Sequence, residues 1–310
     1  MQAAKTSLCS LSYASWNICR ASCASVGIWG QQLTEAIGEA VCCLQEVQKW
    51  EEFEIFDTWR ACKSNASCKA AMLVPHKLAF ALRWSSSELL KNKLNYVSAV
   101  MIDSVGVISA YFPDQTKPDS SWMSCADELV MVLNVLKGMK CRRLVIGCDL
   151  NFQLGANVAG VTGGNTHKDK SGAAHVQARE DVFFRICLDF GLVVANTMDS
   201  DGIEHEKKPC YTRGHWKHLR SHESLCGSDA NLGVHDDVDQ ANFQQIDYIV
   251  CSKYDMQDGK KLSSVARCKN EKRLGRSDHF PVLMSGFGKA IKRRMRFRKN
   301  MNGMQVDCTN

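Results

Sequence analysis

The chain has 310 residues, of which 45% are hydrophobic and 23% charged, a balance that excludes bulk disorder and supplies enough apolar surface for one large domain or two small ones. Its net charge of +6 gathers largely near the C-terminal end, so the body is close to neutral and any basic surface must be local. Sixteen cysteines lie in apolar runs such as Cys42-Cys43 and around Cys187 and Cys251, with no Cys-x-x-Cys pair, which argues against a disulfide framework or structural zinc and for small buried hydrophobes in a reducing compartment.

The start of the chain lacks a basic end followed by an apolar core, and no apolar run approaches membrane-spanning length. This predicts a soluble intracellular protein. Cys9 to Asn17 alternates with a period of two and predicts a first strand. Trp29, Leu33, Ala36, Ile37 and Ala40 recur at helical spacing, and Val41 to Glu46 then reads as a buried strand closed by an acid. Lys69 to Pro75, Ala79 to Trp84, Tyr96 to Asp103 and Val105 to Phe112 predict further strands. The last two turn at Asp103-Ser104, and Pro113 ends the ladder. Asp119, Ser120 and Ser121 offer N-caps for a helix with Trp122, Ala126, Leu129, Leu133 and Leu136 on its apolar face, and Gly138 is placed to end it.

Leu144 to Asn151 is the most telling stretch. An apolar run closed by Asp149 and Asn151 reads as a buried strand that delivers both polar groups to a cleft, and the spacing of two predicts that they share a face. A carboxylate beside a neutral amide suits the orienting of a water near a phosphate. The plainer alternative is a strand end followed by an Asx turn.

Beyond it, Gly155 to Gly172 is a long polar loop. Val182 to Phe190 marks a helix, and Leu192 to Asn196 a strand. Residues 199–242 read as an insertion whose clear anchors are Tyr211-Thr212 and Trp216. Its histidines 215, 218, 222 and 235 lack regular ligand spacing and read as a solvated loop. Gln245 to Cys251, Leu262 to Cys268 and Phe280 to Phe287 complete the strands, with Ser277-Asp278-His279 before the last. One domain is placed over residues 8–288, with a basic tail over residues 289–310 suited to phosphate contact or nuclear import.

Polar residues thus close one apolar strand after another: Asn17, Glu46, Tyr111, Asp149, Asn151, Asp247, Asp278 and His279. Through Trp16-Asn17, Leu44-Gln45-Glu46, Tyr111-x-Pro113, Gly147-x-Asp149-x-Asn151, Ile246-Asp247-Tyr248 and Ser277-Asp278-His279, in that order, the sequence resembles the endonuclease/exonuclease/phosphatase (DNase I-like) superfamily. The resemblance implies an α/β four-layer sandwich of two packed mixed β-sheets flanked by helices. It also implies Mg²⁺, with Mn²⁺ as a substitute, held by Glu46 with help from Asn17 and with Asp278 beside it. Asp149 would position and deprotonate the attacking water, and Asn151 and Tyr111 would hold the scissile phosphate. His279 would donate to a non-bridging oxygen, with Asp247 fixing its ring and keeping it charged.

Where many members carry an acid two residues after the first Asn, this chain has Cys19, which removes a possible carboxylate near the metal. Tyr111-Phe112-Pro113, Ala178-Arg179, Ala195-Asn196-Thr197 and the Tyr211-Thr212 turn with Trp216, taken as substrate-side residues, are similar to apurinic and non-LTR retroelement endonucleases. The implied function is metal-dependent hydrolysis of DNA phosphodiester bonds, with nucleic acid as partner and no membrane. The alternatives are an RNA deadenylase, a lipid or inositol phosphodiesterase of the same superfamily, or a catalytically silent nucleic-acid-binding relic of a retroelement.

Overall fold

The computed structural model describes residues 11–20, 40–47, 53–55, 59–90, 93–155, 158–163, 174–197, 213–214, 243–244, 246–253, 279, 282–287, 298–300 and 303–305. The strands are β1 (Leu11–Asn17), β2 (Val41–Gln45), β3 (Phe53–Ile55), β4 (Trp59–Lys63), β5 (Ala70–Pro75), β6 (Leu82–Ser85), β7 (Val97–Ile102), β8 (Val105–Tyr111), β9 (Arg143–Asp149), β10 (Leu192–Val194), β11 (Arg213–Gly214), β12 (Phe243–Gln244), β13 (Asp247–Ser252), β14 (Val282–Phe287), β15 (Arg298–Asn300) and β16 (Gly303–Gln305). The helices are α1 (Ser86–Leu89), α2 (Asp119–Gly138) and α3 (Ala174–Asp189).

Two six-stranded sheets face each other, ordered β14-β1-β2-β5-β4-β3 and β10-β13-β9-β8-β7-β6. Each is mixed, with one parallel pair, β1 with β2 and β8 with β9, among antiparallel neighbours. This is the expected pair of packed mixed sheets with flanking helices.

The two-residue period of the strands sorts the core. Val41 and Cys43 of β2, Val105 and Val107 of β8, Val145 of β9 and Ile249 and Cys251 of β13 point into the space between the sheets. Their neighbours Ile108, Ala110, Ile146, Cys148, Tyr248 and Val250 turn the other way, onto Trp122, Leu129, Leu133 and Leu136 of α2 and Phe183 and Cys187 of α3. Cys42 and Leu44 face the outer side of the first sheet with Trp16 and Trp59. Every described cysteine is a free thiol, and all but Cys19 and Cys141 are buried. Burial pushes Cys42, Cys125 and Cys148 well above the ordinary thiol range, as befits residues that act as small hydrophobes.

At one end of the inter-sheet space the apolar filling gives way to a polar layer. Gln45 Nε2 donates to Ser15 Oγ (3.2 Å), Ser109 Oγ (3.3 Å) and the Gly147 carbonyl (3.1 Å), tying both sheets together. The sheets approach so closely here that a Cβ on Gly147 would lie 2.5 Å from Cys43 Cβ and 2.9 Å from Ser15 Oγ. A Gly147→Ala substitution is therefore expected to cost about 2–3 kcal/mol of stability through overpacking. Urea unfolding checks this, and a loss within the error of wild type would show that the sheets can part at no cost.

Several sequence expectations shift. Ala79 to Trp84 is not a continuous strand: a 3₁₀ helix covers His76–Ala81, burying Leu78 and Ala81 three residues apart, and β6 begins only at Leu82. Helix α2 has Pro118 at its N-cap, with no side-chain cap bond, so the capping role expected of Asp119, Ser120 and Ser121 is not used. The carboxylate of Asp119 instead takes Arg179 of α3 at 2.6 Å. Gly138 is the last helical residue, and Lys140 makes the left-handed turn (φ 58°). After Val194 the expected strand becomes a 3₁₀ turn, Ala195–Thr197. Helix α3 starts well before Val182, and β3 and β4, short and broken by polar residues, were not legible. Residues 29–39 of the helix expected over Trp29 to Ala40, the strand at Leu262 to Cys268, the insertion histidines and all of the basic tail except β15 and β16 lie outside the described residues.

Candidate active site

The parallel pairs β1/β2 and β8/β9 all finish at the same end of the sandwich, so their C-terminal residues meet there. The register aligns Asn17 with Gln45, Tyr111 with Asp149, and Asp149 with Asp247 at the start of antiparallel β13. Asn17, Tyr111, Asp149 and Asp247 share the strand parity that points between the sheets. His279, just ahead of β14, is held by a bond from Trp16 Nε1 to its carbonyl (3.2 Å). Asn17, Tyr111 and His279 line a cleft of about 610 Å³ together with Arg20, Glu46 and Asn151, among others, and Asp149 and Asp247 lie buried behind that lining.

Asp149 is fully buried. Its Oδ2 accepts from Asn17 Nδ2 (2.7 Å) and its Oδ1 from the Asn151 N–H (2.8 Å). Asp247, also fully buried, places Oδ2 2.8 Å from His279 Nδ1. Asn196 fixes the backbone around Asp247, donating to the Asp247 carbonyl (3.0 Å) and accepting from the Ile249 N–H (3.1 Å), in place of the strand partner that β10 no longer provides. Ligand atoms of Asp149, Asp247 and His279, from three distant parts of the chain, all lie within 4.8 Å of one another.

Burial pushes the Asp149 carboxyl up to about 7, and the charge of Asp247 adds to this, while His279, Asn17 and the Asn151 N–H oppose it. Between about pH 4 and 7 the folded metal-free chain therefore keeps a proton that the unfolded chain has released. This contribution to stability falls as pH rises through that window. Urea unfolding in a chelator is expected to show it as a decline from pH 5 to pH 8 that is flattened in Asp149→Ala; equal slopes would remove Asp149 as the cause.

On the other side of the cleft, Glu46 follows β2 with φ at 57°. It accepts from Tyr111 Oη at 3.2 Å and lies 3.5 Å from Arg20 Nε. Burial, together with the charges of Glu46 and Asp149, pushes the Tyr111 hydroxyl up, so it remains a neutral donor. Cys19, Arg20, Glu46 and Asn151 all have positive φ, and all four line the cleft. Such left-handed backbone at non-glycine residues is costly and concentrates where function needs a particular geometry.

Strand β9 ends at Asp149, so Asn151 does not project alongside it as a strand residue would. Instead its N–H closes an Asx turn on Asp149, and its Nδ2 donates to the Phe112 carbonyl (2.8 Å). Asn17 uses its amide nitrogen on Asp149 and its oxygen on the Cys19 N–H (2.8 Å). Its place is thus between the Asp149 and Glu46 sides of the cleft. Asp278, Thr212 and Trp216 lie outside the described residues.

Sequence reasoning gave no role to Arg20, Asp114, Thr116 or Asn196. Asp114 follows the Tyr111-x-Pro113 word directly and accepts from the Thr116 N–H (2.8 Å) and hydroxyl. Arg179 proves to be a packing residue, bound to Asp119 and placed 6.0 Å from the Trp122 ring centroid.

Glu46, partly exposed in a cleft also lined by Asn17, Asp114 and Asn151, fits a hard divalent ion that retains much of its water, and it already attracts the cation of Arg20. The buried Asp149, Asp247 and His279 group offers a second set of ligand-type atoms.

The two sheets and their flanking helices form a DNase I-like α/β sandwich. The chain is similar in structure to a 3′ phosphatase, NExo from Neisseria, solved bound to product DNA hairpin, at 16% identity and TM-score 0.51, with 90% of this chain and 99% of that one covered. Two more solved structures are similar. The 3′-5′ exonuclease NExo from Neisseria meningitidis has 17% identity and TM-score 0.49, over 88% of this chain and 98% of that one. The endonuclease domain of TRAS1, a telomere-specific non-LTR retrotransposon, has 16% identity and TM-score 0.48, over 89% and 98%. No protein-family profile and no curated protein sequence matches the chain.

Proposed function

We propose that this chain is a divalent-metal-dependent phosphodiesterase that nicks DNA by in-line attack of an activated water. The observation that carries the reading is the convergence of Asp149, Asp247 and His279 within 4.8 Å, at a cleft that also holds Glu46 and Tyr111. Fold alone would not carry it, since one fold hosts many chemistries.

In this reading Asp149, oriented by Asn17 and the Asn151 N–H, takes the proton of the attacking water. His279, its ring fixed through Nδ1 by Asp247, offers Nε2 to a non-bridging phosphate oxygen as charge builds there. Tyr111 donates its hydroxyl to the same phosphate, turning from Glu46. A divalent cation bound at Glu46 would neutralise the phosphate and stabilise the leaving oxygen. No covalent link to the protein is required, because the attacking group is the water itself.

Nucleic acid is favoured as the substrate by three features. The fold is shared with a protein solved with a DNA product, and Tyr111-Phe112-Pro113 is the form of the β8 end that resembles apurinic and retroelement endonucleases. The Gln244-Gln245-Ile246-Asp247 approach to β13 also lacks the Trp-Cys-Asp-Arg word typical of inositol polyphosphate phosphatases. Incubation with supercoiled plasmid, poly(A) and phospholipid in Mg²⁺ tests the assignment. Open-circular plasmid as the main product is expected. Preferential shortening of poly(A) or release of a lipid headgroup would replace DNA as substrate, and salt-sensitive DNA binding without turnover on any of them would leave a silent binding protein.

A further inference from the structure

Arg20 stands at the mouth of the cleft and has no part in the chemistry above. Its N–H donates to the Glu46 carbonyl (3.0 Å), and its Nε lies 3.5 Å from Glu46 Oε1, so main chain and side chain both engage the same residue. Left-handed backbone at both positions, φ 63° and 57°, brings the two side chains together just beyond the paired ends of β1 and β2. The arginine side chain is 64% exposed and that of Glu46 20%. An ion pair with one end so wet is weak and readily exchanged.

The same guanidinium acts on a second carboxylate of the cleft. Burial pushes Asp114 up, but the bonds from Thr116 and the charges of Lys117 and Arg20 outweigh it and hold Asp114 below the ordinary carboxylate range. Arg20 thus lines one cleft with the acids that follow β2 and β8, on the two sheets. A divalent cation on Glu46 would be repelled by a guanidinium at this distance. A guanidinium displaced from Glu46 is a planar fork whose donors match the oxygens of a phosphate.

We propose that Arg20 is a stand-in cation: it neutralises Glu46 in the metal-free chain, yields that carboxylate to an arriving divalent ion, and then grips a phosphate of the nucleic-acid backbone. This rests on the hydrolase reading and adds to it an order of events, in which metal binding frees the residue that captures substrate.

The test compares wild type, Arg20→Gln and Arg20→Lys in two binding measurements. Mn²⁺ affinity is read from the paramagnetic resonance signal of the free ion. Affinity for a labelled DNA duplex is read by fluorescence anisotropy in Ca²⁺ and in EDTA over a range of salt. Arg20→Gln is expected to bind Mn²⁺ about 3- to 10-fold more tightly. In Ca²⁺ it should bind duplex about 5- to 30-fold more weakly, with a salt slope shallower by about 0.9. In EDTA the difference between the two should be smaller, because Arg20 is then partly occupied by Glu46. Arg20→Lys should keep the wild-type Mn²⁺ affinity and recover part of the duplex affinity, which a general loss of folding would not produce.

Unchanged Mn²⁺ affinity in Arg20→Gln overturns the stand-in role, and unchanged duplex affinity in Ca²⁺ overturns the phosphate contact. Wild type that binds Mn²⁺ and shows the expected Arg20 effects but hydrolyses nothing sinks the hydrolase reading alone. Wild type that binds no Mn²⁺ sinks both.

Discussion

Replacing Asp149 with Ala is expected to slow DNA nicking by about 10²–10⁴-fold, the range over which a positioned base contributes. The carboxylate is fully buried and takes one bond on each oxygen, from Asn17 and from the Asn151 N–H. Such a group is aimed, and cutting the side chain back to a methyl group removes the only proton acceptor of that strength at its position. The same burial that pushes its pKa up makes it a stronger base than a solvated aspartate, which is what proton removal from water requires. Initial rates of plasmid nicking at saturating Mg²⁺ check this, and retention of more than about a tenth of the wild-type rate would assign the proton transfer elsewhere.

His279→Ala should cost about 10²–10³-fold, the effect of removing one preorganised donor to a developing negative charge. The geometry around this residue is fixed twice over. Asp247 Oδ2 holds Nδ1 at 2.8 Å, and Trp16 Nε1 holds the main-chain carbonyl at 3.2 Å. Because Asp247 acts through the ring, Asp247→Ala on the His279→Ala background should remove little further rate, although it is expected to be harmful alone. Initial nicking rates of the two single variants and the double variant measure this. A double variant much slower than either single one would mean that Asp247 has a separate task.

Where an alternating run was long enough, the sequence disclosed both the strand and the direction of its last side chain. Val145, Gly147 and Asp149 share one face of β9, so the acid enters the space between the sheets, and the same parity carries Tyr111 and Asp247 there. Short or interrupted strands such as β3 and β4 left no such pattern. Neither did the 3₁₀ segment His76–Ala81, whose period of three resembles broken alternation.

At the site, the residues that close a strand were legible, but those set by left-handed backbone beyond the strand were not. Asn151 reads as a neighbour of Asp149 on one face. Its positive φ instead turns its side chain onto the Phe112 carbonyl. Arg20 meets Glu46 for the same reason, and nothing in a spacing of three from Asn17 foretells it. Asn196 was visible only as part of a word, because its service to Asp247 depends on β10 ending two residues early.

In the proposed reaction, hydrolysis depends on a divalent ion carried by Glu46, at a cleft where two sheets bring their acids together. Plasmid nicking by wild type and Glu46→Gln, stripped with EDTA and then titrated with Mg²⁺, measures that dependence. Wild type should fall silent in EDTA and recover with Mg²⁺, while Glu46→Gln should need far more Mg²⁺ or fail to recover. Nicking that persists in EDTA, or two identical Mg²⁺ titration curves, would contradict it.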